Sequence, residues 1–553
     1  MPAHLTESCT PVSENDRKPI LYRNGSVYSA ADPFATAMLV TGDTVAWVGS
    51  EHAAASLADS TMVVIDLQGA LIAPGFVDSH FHTTETGLAL TSLDLTEVNS
   101  LGELLELIAG AAASIPGTIM GNGWDESRWS ERRPPTAAEL DNASGGRDVY
   151  LVRADVHSAV VSASLAQRLA LHTYSGWDNG FVVREAHLAA RTAVRSPGPA
   201  ERTTLQRTAL DNAAANGIVA VVEMAAAHIA PREDVLSLLS LDGAHPEVLA
   251  YWGQAVTSEE ELRSVLAGFD GRVLGLGGDL NVDGSIGSHT ARMRVPYADA
   301  PHSSGTAFMH ADDVASHLGA ATAAGRQAGF HVIGDEGLDT VIAGLEKAAA
   351  VHGIEKVRAA RHRLEHVEMA DDESIRSLVH FGAIVSAQSG FDALWGAPGG
   401  LYEQRLGRDR YVPMNRVGSL LSQGVPVCLG SDSPVTRMSP WQSVRACMTH
   451  ASPEERISAR AAFIAHTRAG WRAVGAENPL LGQLVPGAPA SYAVWEVDEL
   501  MVQTPDSRVQ SWSTDPRAGT PLLPALDTGS EPRCLETVHH GRQLFTRGGL
   551  DAR

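Results

Sequence analysis

Eight short apolar runs of strand length recur through the middle of the chain, and stretches with helical periodicity separate them. The runs cover residues 71–77, 218–223, 247–252, 273–282, 330–333, 363–366, 383–387 and 425–430. Alternating strands and helices, with eight strands, are typical of an α/β protein with a closed parallel barrel. The pattern therefore predicts a (β/α)8 TIM barrel over residues 71–483.

Two helix starts can be located between these strands. Thr257 followed by Glu260 forms a capping-box pattern ahead of an apolar stripe. Asp312 precedes Val314 and Leu318, which lie about one helical turn apart. Both positions fall where the alternation requires a helix, so they support the predicted barrel.

The two ends of the chain follow a different pattern. Residues 20–48 and 491–497 alternate apolar and polar positions between turn signals, as half-buried strands do. We therefore expect residues 19–70 and 484–553 to form one small composite β-sandwich domain. Residues 1–18 are polar and are expected to form a loose tail.

The connection between the first two predicted strands is too long for one crossover helix. A capping pair, Ser100 and Glu103, opens a helix within it. We interpret residues at about 92–210 as an inserted subdomain of the barrel. Near the carboxyl end, residues 511–533 are rich in Pro, Gly, Ser and Thr, and they predict a surface loop before a last strand near 534–538.

Composition and charge narrow the range of partners. The 553 residues are 44% hydrophobic and 19% charged, as in an ordinary globular protein, and no apolar run approaches the length of a membrane span. The formal net charge of −23 would repel polyphosphate backbones and anionic lipid surfaces. We therefore expect a small-molecule substrate, no nucleic acid and no membrane partner, and we leave open whether the protein forms a homo-oligomer.

The four cysteines and the polar amino terminus bear on location. None of the cysteines has CxxC spacing, so neither a disulfide framework nor a thiolate zinc site is indicated. The first residues lack the basic and then apolar pattern of a signal peptide. The sequence thus predicts a cytoplasmic protein.

A His-x-His pair, His80 and His82, follows the first predicted strand. On a strand this spacing places both imidazoles on one face, and a neutral imidazole is the commonest nitrogen ligand of zinc-like cations. With 22 histidines in the chain such a pair alone is weak evidence. We interpret it as half of a metal site whose other half must come from elsewhere in the chain.

Three further candidates, His331, His366 and Asp432, each lie at the carboxyl end of a predicted strand. A TIM barrel builds its active site at that face because the strand ends converge there. A single histidine at such a position is more often a core residue, but four histidines and one aspartate at the same face favour a metal site. We expect these five side chains to meet.

Four segments carry a family resemblance: PGFVDSHFH at 74–82, GFHVIGDEG at 329–337, RLEHVEM at 363–369 and LGSDSPV at 429–435. They resemble the amidohydrolase superfamily, and specifically its amidohydrolase 3 branch of YtcJ-like proteins and N-substituted formamide deformylases. Segments at 121–126, 153–157, 283–288 and 484–490 are similar to that branch as well. The resemblance covers nearly the whole chain after the amino-terminal tail.

The resemblance implies a hydrolase that uses a divalent metal ion, expected to be zinc. By analogy His80, His82, His331 and Asp432 would hold the ion, with His331 or His366 shared toward a second ion where one is present. A cation held by imidazoles lowers the pKa of its water and polarises a carbonyl oxygen. Asp432 would take the proton of the water and pass it to a leaving nitrogen, which makes it the main catalytic candidate.

Two carboxylates next to these candidates, Asp335 and Glu365, could orient the imidazoles or could be ordinary buried pairing groups. Asp279 marks a departure from the family, because many members carry there a lysine whose carbamylated side chain bridges two metal ions. Aspartate is several bonds shorter. We therefore expect one ion rather than two, with Asp279 an uncertain ligand and His366 either a weak ligand or a catalytic group in contact with substrate.

Candidates for substrate binding are Trp124, Asp125, Arg153 and His157, which lie in the insertion, and His289 beside the 283–288 segment. Three functions remain open. The first is hydrolysis of a non-peptide carbon–nitrogen bond in an amide, an N-substituted formamide or a cyclic amide. The second is deamination of a heterocycle with a single metal ion, and the third is a binding protein that keeps the barrel without catalysis.

Overall fold

The computed structural model describes residues 18–503, 512–513, 520–527 and 530–552. An eight-stranded parallel sheet forms its centre, and its strands follow one another in chain order. The barrel strands are β1 (Phe76–Phe81), β2 (Ile218–Ala226), β3 (Glu247–Gly253), β4 (Val273–Leu276), β5 (Gln327–Val332), β6 (Arg363–His366), β7 (Ile384–Ala387) and β8 (Val427–Leu429). A parallel bridge between Phe81 and Ser433 joins the two edges of the sheet. The predicted (β/α)8 barrel is confirmed.

The first predicted strand, 71–77, is wrong as a single element. Leu71–Pro74 pairs with Ser26–Val27 and with Tyr492–Glu496, outside the barrel. The chain changes sheets at Gly75, where a Cβ would lie 2.2 Å from Val219 Cγ1 and no side chain fits. The sequence did not indicate this change of sheet, because both strands are buried and together form one unbroken apolar run.

The fourth predicted strand, 273–282, is also too long. Strand β4 ends at Leu276, and Gly277 and Gly278 break it. Gly278 has a φ of 67°, and a Cβ on Gly277 would lie 2.7 Å from the backbone nitrogen of Gly329. Asp279 therefore lies in the loop after β4. The sequence had predicted it within the strand, so that placement was wrong.

Helices surround the barrel, and none of the described helices has both the length and the apolar character needed to cross a membrane. They span Thr83–Leu90, Pro199–Ala215, Arg232–Leu238, Glu259–Ala267, Ala311–Ala323, Asp335–His352, Ile354–Ala360, Asp372–Phe381, Ser389–Trp395, Leu401–Leu406, Arg408–Tyr411, Val417–Gln423, Pro440–Thr449, Ala459–Ala465 and Arg468–Ala473, with a 3-10 turn at Pro453–Glu455. The helix predicted around Val314 is confirmed. The capping box predicted at Thr257 is one residue off, because the Ser258 hydroxyl accepts the Glu261 amide.

Both chain ends combine in a small β-domain of two five-stranded sheets. One sheet contains Asp551–Ala552, Val63–Asp66, Ile20–Arg23, Ala37–Thr41 and Thr44–Gly49, and the other contains Ser26–Val27, Leu71–Pro74, Tyr492–Glu496, Arg533–His539 and Arg542–Thr546. A helix at Glu51–Leu57 covers the first sheet. The sheets share one core, in which the Tyr492 and Tyr22 rings meet edge to face at 5.6 Å. The composite β-sandwich is confirmed.

The predicted strand near 534–538 exists as Arg533–His539, but two short strands follow it, so it is not the last. Residues 511, 514–519 and 528–529 of the predicted loop, and nearly all of the predicted tail at 1–18, lie outside the described residues. Within the described part, a three-stranded sheet joins Trp512–Ser513, Leu500–Gln503 and Leu523–Pro524.

The insertion after β1 forms a layer of its own. Its six-stranded sheet contains Leu93–Asp94, Ile119–Trp124, Val149–Arg153, Ser158–Val161, Trp177–Asp178 and Phe181–Val183. Its helices are Leu101–Ser114, Ala137–Ser144, Ala163–Arg168 and Arg184–Val194, with 3-10 turns at Glu126–Arg128 and Leu171–Thr173. The predicted cap at Ser100 is present, since its hydroxyl accepts the Glu103 amide. The exact domain boundaries remain predictions.

Helices Thr83–Leu90 and Pro199–Ala215 carry the chain into the insertion and back, and they cross at Gly87. A Cβ at Gly87 would lie 2.3 Å from the carbonyl oxygen of Leu205, a backbone atom that cannot move away alone. The absence of a side chain at Gly87 therefore sets the distance between these helices.

We expect Gly87→Ala to destabilise the protein by about 1–3 kcal/mol, because overpacking against backbone forces the helices apart. Gly110→Ala is the matched control, since Gly110 is exposed in the middle of a helix and a Cβ there meets no atom of the described residues within 4 Å. It should stabilise the protein by about 0.5–1 kcal/mol. Urea unfolding of both variants tests the pair, and equal effects would contradict this packing.

Candidate metal centre

The His-x-His pair lies at the carboxyl end of β1. His80 is the fifth residue of this strand and His82 directly follows it, and both side chains are buried. Their Nε2 atoms are 3.3 Å apart, as the common face predicted. Glu223 on β2 fixes the backbone directly after His82. Its carboxylate accepts hydrogen bonds from the Thr83 amide at 2.8 Å and from the Thr83 hydroxyl at 2.6 Å.

Two carboxylates converge on this pair. Asp432 Oδ1 lies 3.3 Å from His80 Nε2 and 3.2 Å from His82 Nε2. Asp279 approaches from the loop after β4, with Oδ1 3.4 Å from His80 Nε2 and Oδ2 3.3 Å from His82 Nε2. The Asp279 side chain, although shorter than a carbamylated lysine, therefore reaches the histidines, because the loop that begins at Gly277 and Gly278 brings it inward. Two imidazoles and two carboxylates thus share one small volume.

His366 and His331 complete the histidine group. The His366 ring centroid is 4.9 Å from that of His80 and 4.5 Å from that of His331. Ligand atoms of His80, His366 and Asp432 lie within 4.8 Å of one another, as do those of His80, His82 and Asp279. Among the described residues neither group includes His331. The five predicted side chains do meet, with His331 at the periphery and Asp279 at the centre.

The backbone of β6 turns His366 inward. Arg363 and Glu365 face the barrel interior, so regular alternation would point residue 366 toward the outer helices with Leu364. His366 instead has a φ of 71°, which ends the alternation and directs its ring to the other histidines. Asp432 also has a positive φ, 54°. Such conformations cost energy in residues with side chains and concentrate at functional sites.

Hydrogen bonds fix which nitrogen of each imidazole is free. His80 Nδ1 lies 2.8 Å from Glu365 Oε2 and donates to it, since a carboxylate only accepts. His366 Nδ1 donates to Gln388 Oε1 at 2.7 Å, while the Gln388 amide nitrogen donates to the Ser386 carbonyl. Nε2 of each ring is therefore the nitrogen that faces the shared volume.

Arg363 supports Glu365 from below. Its Nε donates to Glu365 Oε1 at 2.6 Å, and its second terminal nitrogen bonds the Ser79 carbonyl. Burial alone would raise the pKa of Glu365, but Arg363 and His80 lower it to about 2. Glu365 is thus ionised and orients His80, which is one of the two roles considered for it.

Asp335 does not orient a histidine. Its carboxylate accepts the backbone amides of Arg294 and Glu336, at the start of a helix. The carboxylate facing His331 is Asp283, whose Oδ1 lies 3.9 Å from His331 Nδ1. Asp335 lies in the first turn of a helix because the chain turns away after β5, whereas Asp283 comes from the loop before β5.

The charges around the site attract a positive ion. Burial alone would lower the pKa of His80 and of His82, but the surrounding carboxylates raise both above their usual values. Burial would likewise raise the pKa of Asp279, but His82 and His80 hold it well below its usual range. Burial lowers the pKa of His331 and of His366, which are neutral at pH 7.

These residues fit a divalent cation. His366 Nε2 and His331 Nδ1 are buried, and no described residue gives either atom a hydrogen-bond partner. Buried polar nitrogens without partners are rare in folded proteins and indicate a ligand or ion. Imidazole nitrogens with carboxylate oxygens form the donor set that zinc-like cations prefer. The arrangement can therefore hold a metal ion.

A cavity of about 560 Å³ opens directly onto His82 and Asp279. Most of its lining is apolar and includes Leu188, Phe308 and Met309. Of the predicted substrate residues His157 lines this cavity, and its ring lies 5.3 Å from that of His331. The cavity thus joins the candidate metal centre to the inserted subdomain.

The other predicted substrate residues do not line this cavity. Trp124 is buried in the core of the insertion and donates to the Leu151 carbonyl. Arg153 forms buried ion pairs, among them with Asp125 at 3.1 Å, so both hold the insertion together. His289 packs on Tyr297 and pairs with Asp299, away from the cavity. Position in the sequence thus did not distinguish residues that pack inside the insertion from residues that line the cavity.

Two residues near the candidate metal centre, Gln388 and His228, were not predicted from the sequence, although both follow barrel strands. Gln388 directly follows β7, and His228 lies two residues after β2, both at the carboxyl face of the barrel. Gln388 sets the orientation of His366, and His228 lines the cavity. Burial lowers the pKa of His228 to about 4, so it is neutral. The signal for both was position after a strand.

A family model for amidohydrolases matches residues 63–545. The chain belongs to the amidohydrolase family. The predicted branch is confirmed. This amidohydrolase is 26% identical over 518 residues to Protein LONG AFTER FAR-RED 3 of Arabidopsis thaliana, and the match covers 86% of each chain. It is 25% identical over 429 residues to the putative amidohydrolase YtcJ of Bacillus subtilis, covering 71% of this chain and 76% of YtcJ.

Among solved structures, an uncharacterized metal-dependent hydrolase from Pyrococcus furiosus matches with a TM-score of 0.66 and 26% identity. The match covers 86% of this amidohydrolase and 98% of the Pyrococcus chain. Together with the family, it supports the prediction of a metal-dependent hydrolase. The bond that is cleaved and the identity of the metal remain predictions.

We expect Glu365→Gln to weaken metal binding about 10- to 100-fold, because a neutral amide no longer orients and polarises His80. Asp335→Asn is the matched control, since it removes the same charge from a carboxylate that contacts no histidine. Competition with a chelating dye measures both affinities. Equal affinities in the two variants would show that Glu365 has no such role.

Proposed function

We propose that this protein hydrolyses a non-peptide carbon–nitrogen bond in a small neutral molecule, such as an amide, an N-substituted formamide or a cyclic amide. The observation that carries the proposal is the position of the two-histidine, two-carboxylate group at the inner end of a largely apolar cavity. Membership of the amidohydrolase family supports the same reaction class.

In this proposal one divalent ion, expected to be zinc, is held by His80 and His82 together with Asp279 and Asp432, with His366 adjacent. A bound cation of this kind polarises a carbonyl oxygen and lowers the pKa of water toward neutrality. One ion is favoured over two because Asp279 contacts both His80 and His82, the same pair that Asp432 contacts. The carboxylates thus converge on one point.

Asp432 is the proposed proton carrier. Its backbone amide donates to the His80 carbonyl at 2.8 Å, which fixes the residue, and its side chain is nearly buried. A carboxylate held beside the attacking water takes its proton and delivers it to the leaving nitrogen. His366, whose ring is neutral and held by Gln388, would contact the substrate carbonyl or the ion.

The cavity supports a neutral substrate with an apolar part. Glu85 lines it, but Arg191 and Arg195 each pair with this carboxylate at 3.0 Å. Although several lining residues are polar, apolar atoms make up most of the exposed surface of the cavity, so an apolar group would be desolvated there with gain. The formal charge of −23 also disfavours an anionic substrate.

Deamination of a heterocycle is the second candidate, because a carboxylate at position 279 favours a single ion and related single-ion barrels deaminate. The two reactions differ in their products. A cytoplasmic location and a small-molecule partner, without nucleic acid or membrane, remain predictions.

We expect His82→Ala to bind about one ion fewer per chain than the wild type and to lose hydrolysis by at least about 10³-fold. His380→Ala is the control, since His380 is an exposed histidine on the outer helix Asp372–Phe381. Metal analysis with activity assays tests both, and circular dichroism confirms the fold. Loss of two ions per chain in His82→Ala would contradict the single-ion site.

A substrate panel separates the candidate reactions. We expect N-substituted formamides and cyclic amides to yield carboxylate and amine, without release of ammonia from amino-heterocycles. Product analysis by mass spectrometry with an ammonia assay reads out both. Ammonia release alone would favour deamination, and a metal-loaded protein inert toward the whole panel would favour the non-catalytic binding protein.

A further inference from the structure

We propose that this protein has a second metal site, at the amino-terminal end of the barrel, formed by Glu247, His539 and His540. Ligand atoms of these three residues lie within 4.8 Å of one another. Glu247 is the first residue of β3, so it lies at the end of the barrel opposite the candidate metal centre. The two histidines come from a hairpin of the small β-domain.

The hairpin geometry brings the two imidazoles together. His539 ends strand Arg533–His539, and consecutive residues of a strand point to opposite faces. His540, however, has a φ of 46° and Gly541 a φ of 68°, as a two-residue type I′ turn requires. The His540 ring is thereby brought to the side of His539, with centroids 4.3 Å apart.

A histidine in this turn needs an explanation. Positive φ at the first central position of such a turn is best supplied by Asn, Asp or Gly, and other residues pay a conformational cost there. The turn is also tightly held, because a Cβ on Gly541 would lie 2.0 Å from the Gly42 carbonyl oxygen. A rigid turn that carries His540 at a costly position presents its imidazole in a fixed direction.

Neighbouring groups orient the ligands as metal sites require. The Ser491 hydroxyl lies 3.0 Å from His539 Nδ1 and accepts the His540 amide, which directs His539 Nε2 toward Glu247 Oε2 at 3.1 Å. The Trp471 ring stacks on the His539 ring with a centroid distance of 6.0 Å and fixes its plane. A hydrogen-bond partner on the other ring nitrogen sets the tautomer of a metal-bound imidazole.

The donor set indicates the class of ion. Two imidazoles and one carboxylate suit zinc and similar first-row cations, with the remaining positions filled by water. A bound ion would connect the barrel to the small β-domain and stabilise their contact.

The test counts metal ions in tag-free protein dialysed against zinc at roughly pH 7.5, where imidazole is neutral. We expect His540→Asn to bind about one ion fewer per chain than the wild type, and Glu247→Gln to do the same. Asparagine suits the turn conformation, so the hairpin should fold in the first variant. Zinc should raise the melting temperature of His82→Ala but raise it less when His540→Asn is added.

Equal numbers of ions in the wild type and in His540→Asn, with equal response of the melting temperature to zinc, would overturn this site and leave an ordinary hydrogen bond between His539 and Glu247. The result is separate from the proposed function. Loss of one ion in His540→Asn but none in His82→Ala would support this site while contradicting the candidate metal centre.

Discussion

Closure of the parallel barrel is the interaction on which the candidate metal centre depends. Phe81 pairs with Ser433, and the Asp432 amide donates to the His80 carbonyl, so the last barrel segment is bonded to the first strand. The same contact places the Asp432 carboxylate against His80 and His82. Residues far apart in the sequence become neighbours because a closed parallel sheet brings every carboxyl end to one face.

Burial of charge is the second constraint. Asp279, Glu365 and Asp432 lose much of their hydration, and isolated ions in such places would be strongly unfavourable. Each carboxylate instead faces imidazoles, and Glu365 also pairs with Arg363. A network of this kind stabilises the fold only while its members remain together, and a cation adds the positive charge that two converging carboxylates favour.

Left-handed backbone at particular residues places side chains where regular strands would not. His366 turns toward the other histidines, Asp432 turns toward His80, and His540 turns back toward His539, each with a φ between 46° and 71°. The cost is borne by rigid surroundings: the barrel holds the first two, and the packed hairpin turn holds the third. Strain of this kind is local and has no signature in hydrophobic periodicity.

The sequence by itself determined the barrel, the composite β-domain and the position of His80, His82, His331, His366 and Asp432 at one face, because strand periodicity and strand order are local patterns that a closed sheet converts into proximity. It could not determine that β4 ends before Asp279 or that Asp283 faces His331. It also could not show that Trp124 and Arg153 pack inside the insertion rather than line the cavity. These outcomes depend on glycine turns, backbone strain and contacts between distant segments, and only the folded chain decides them.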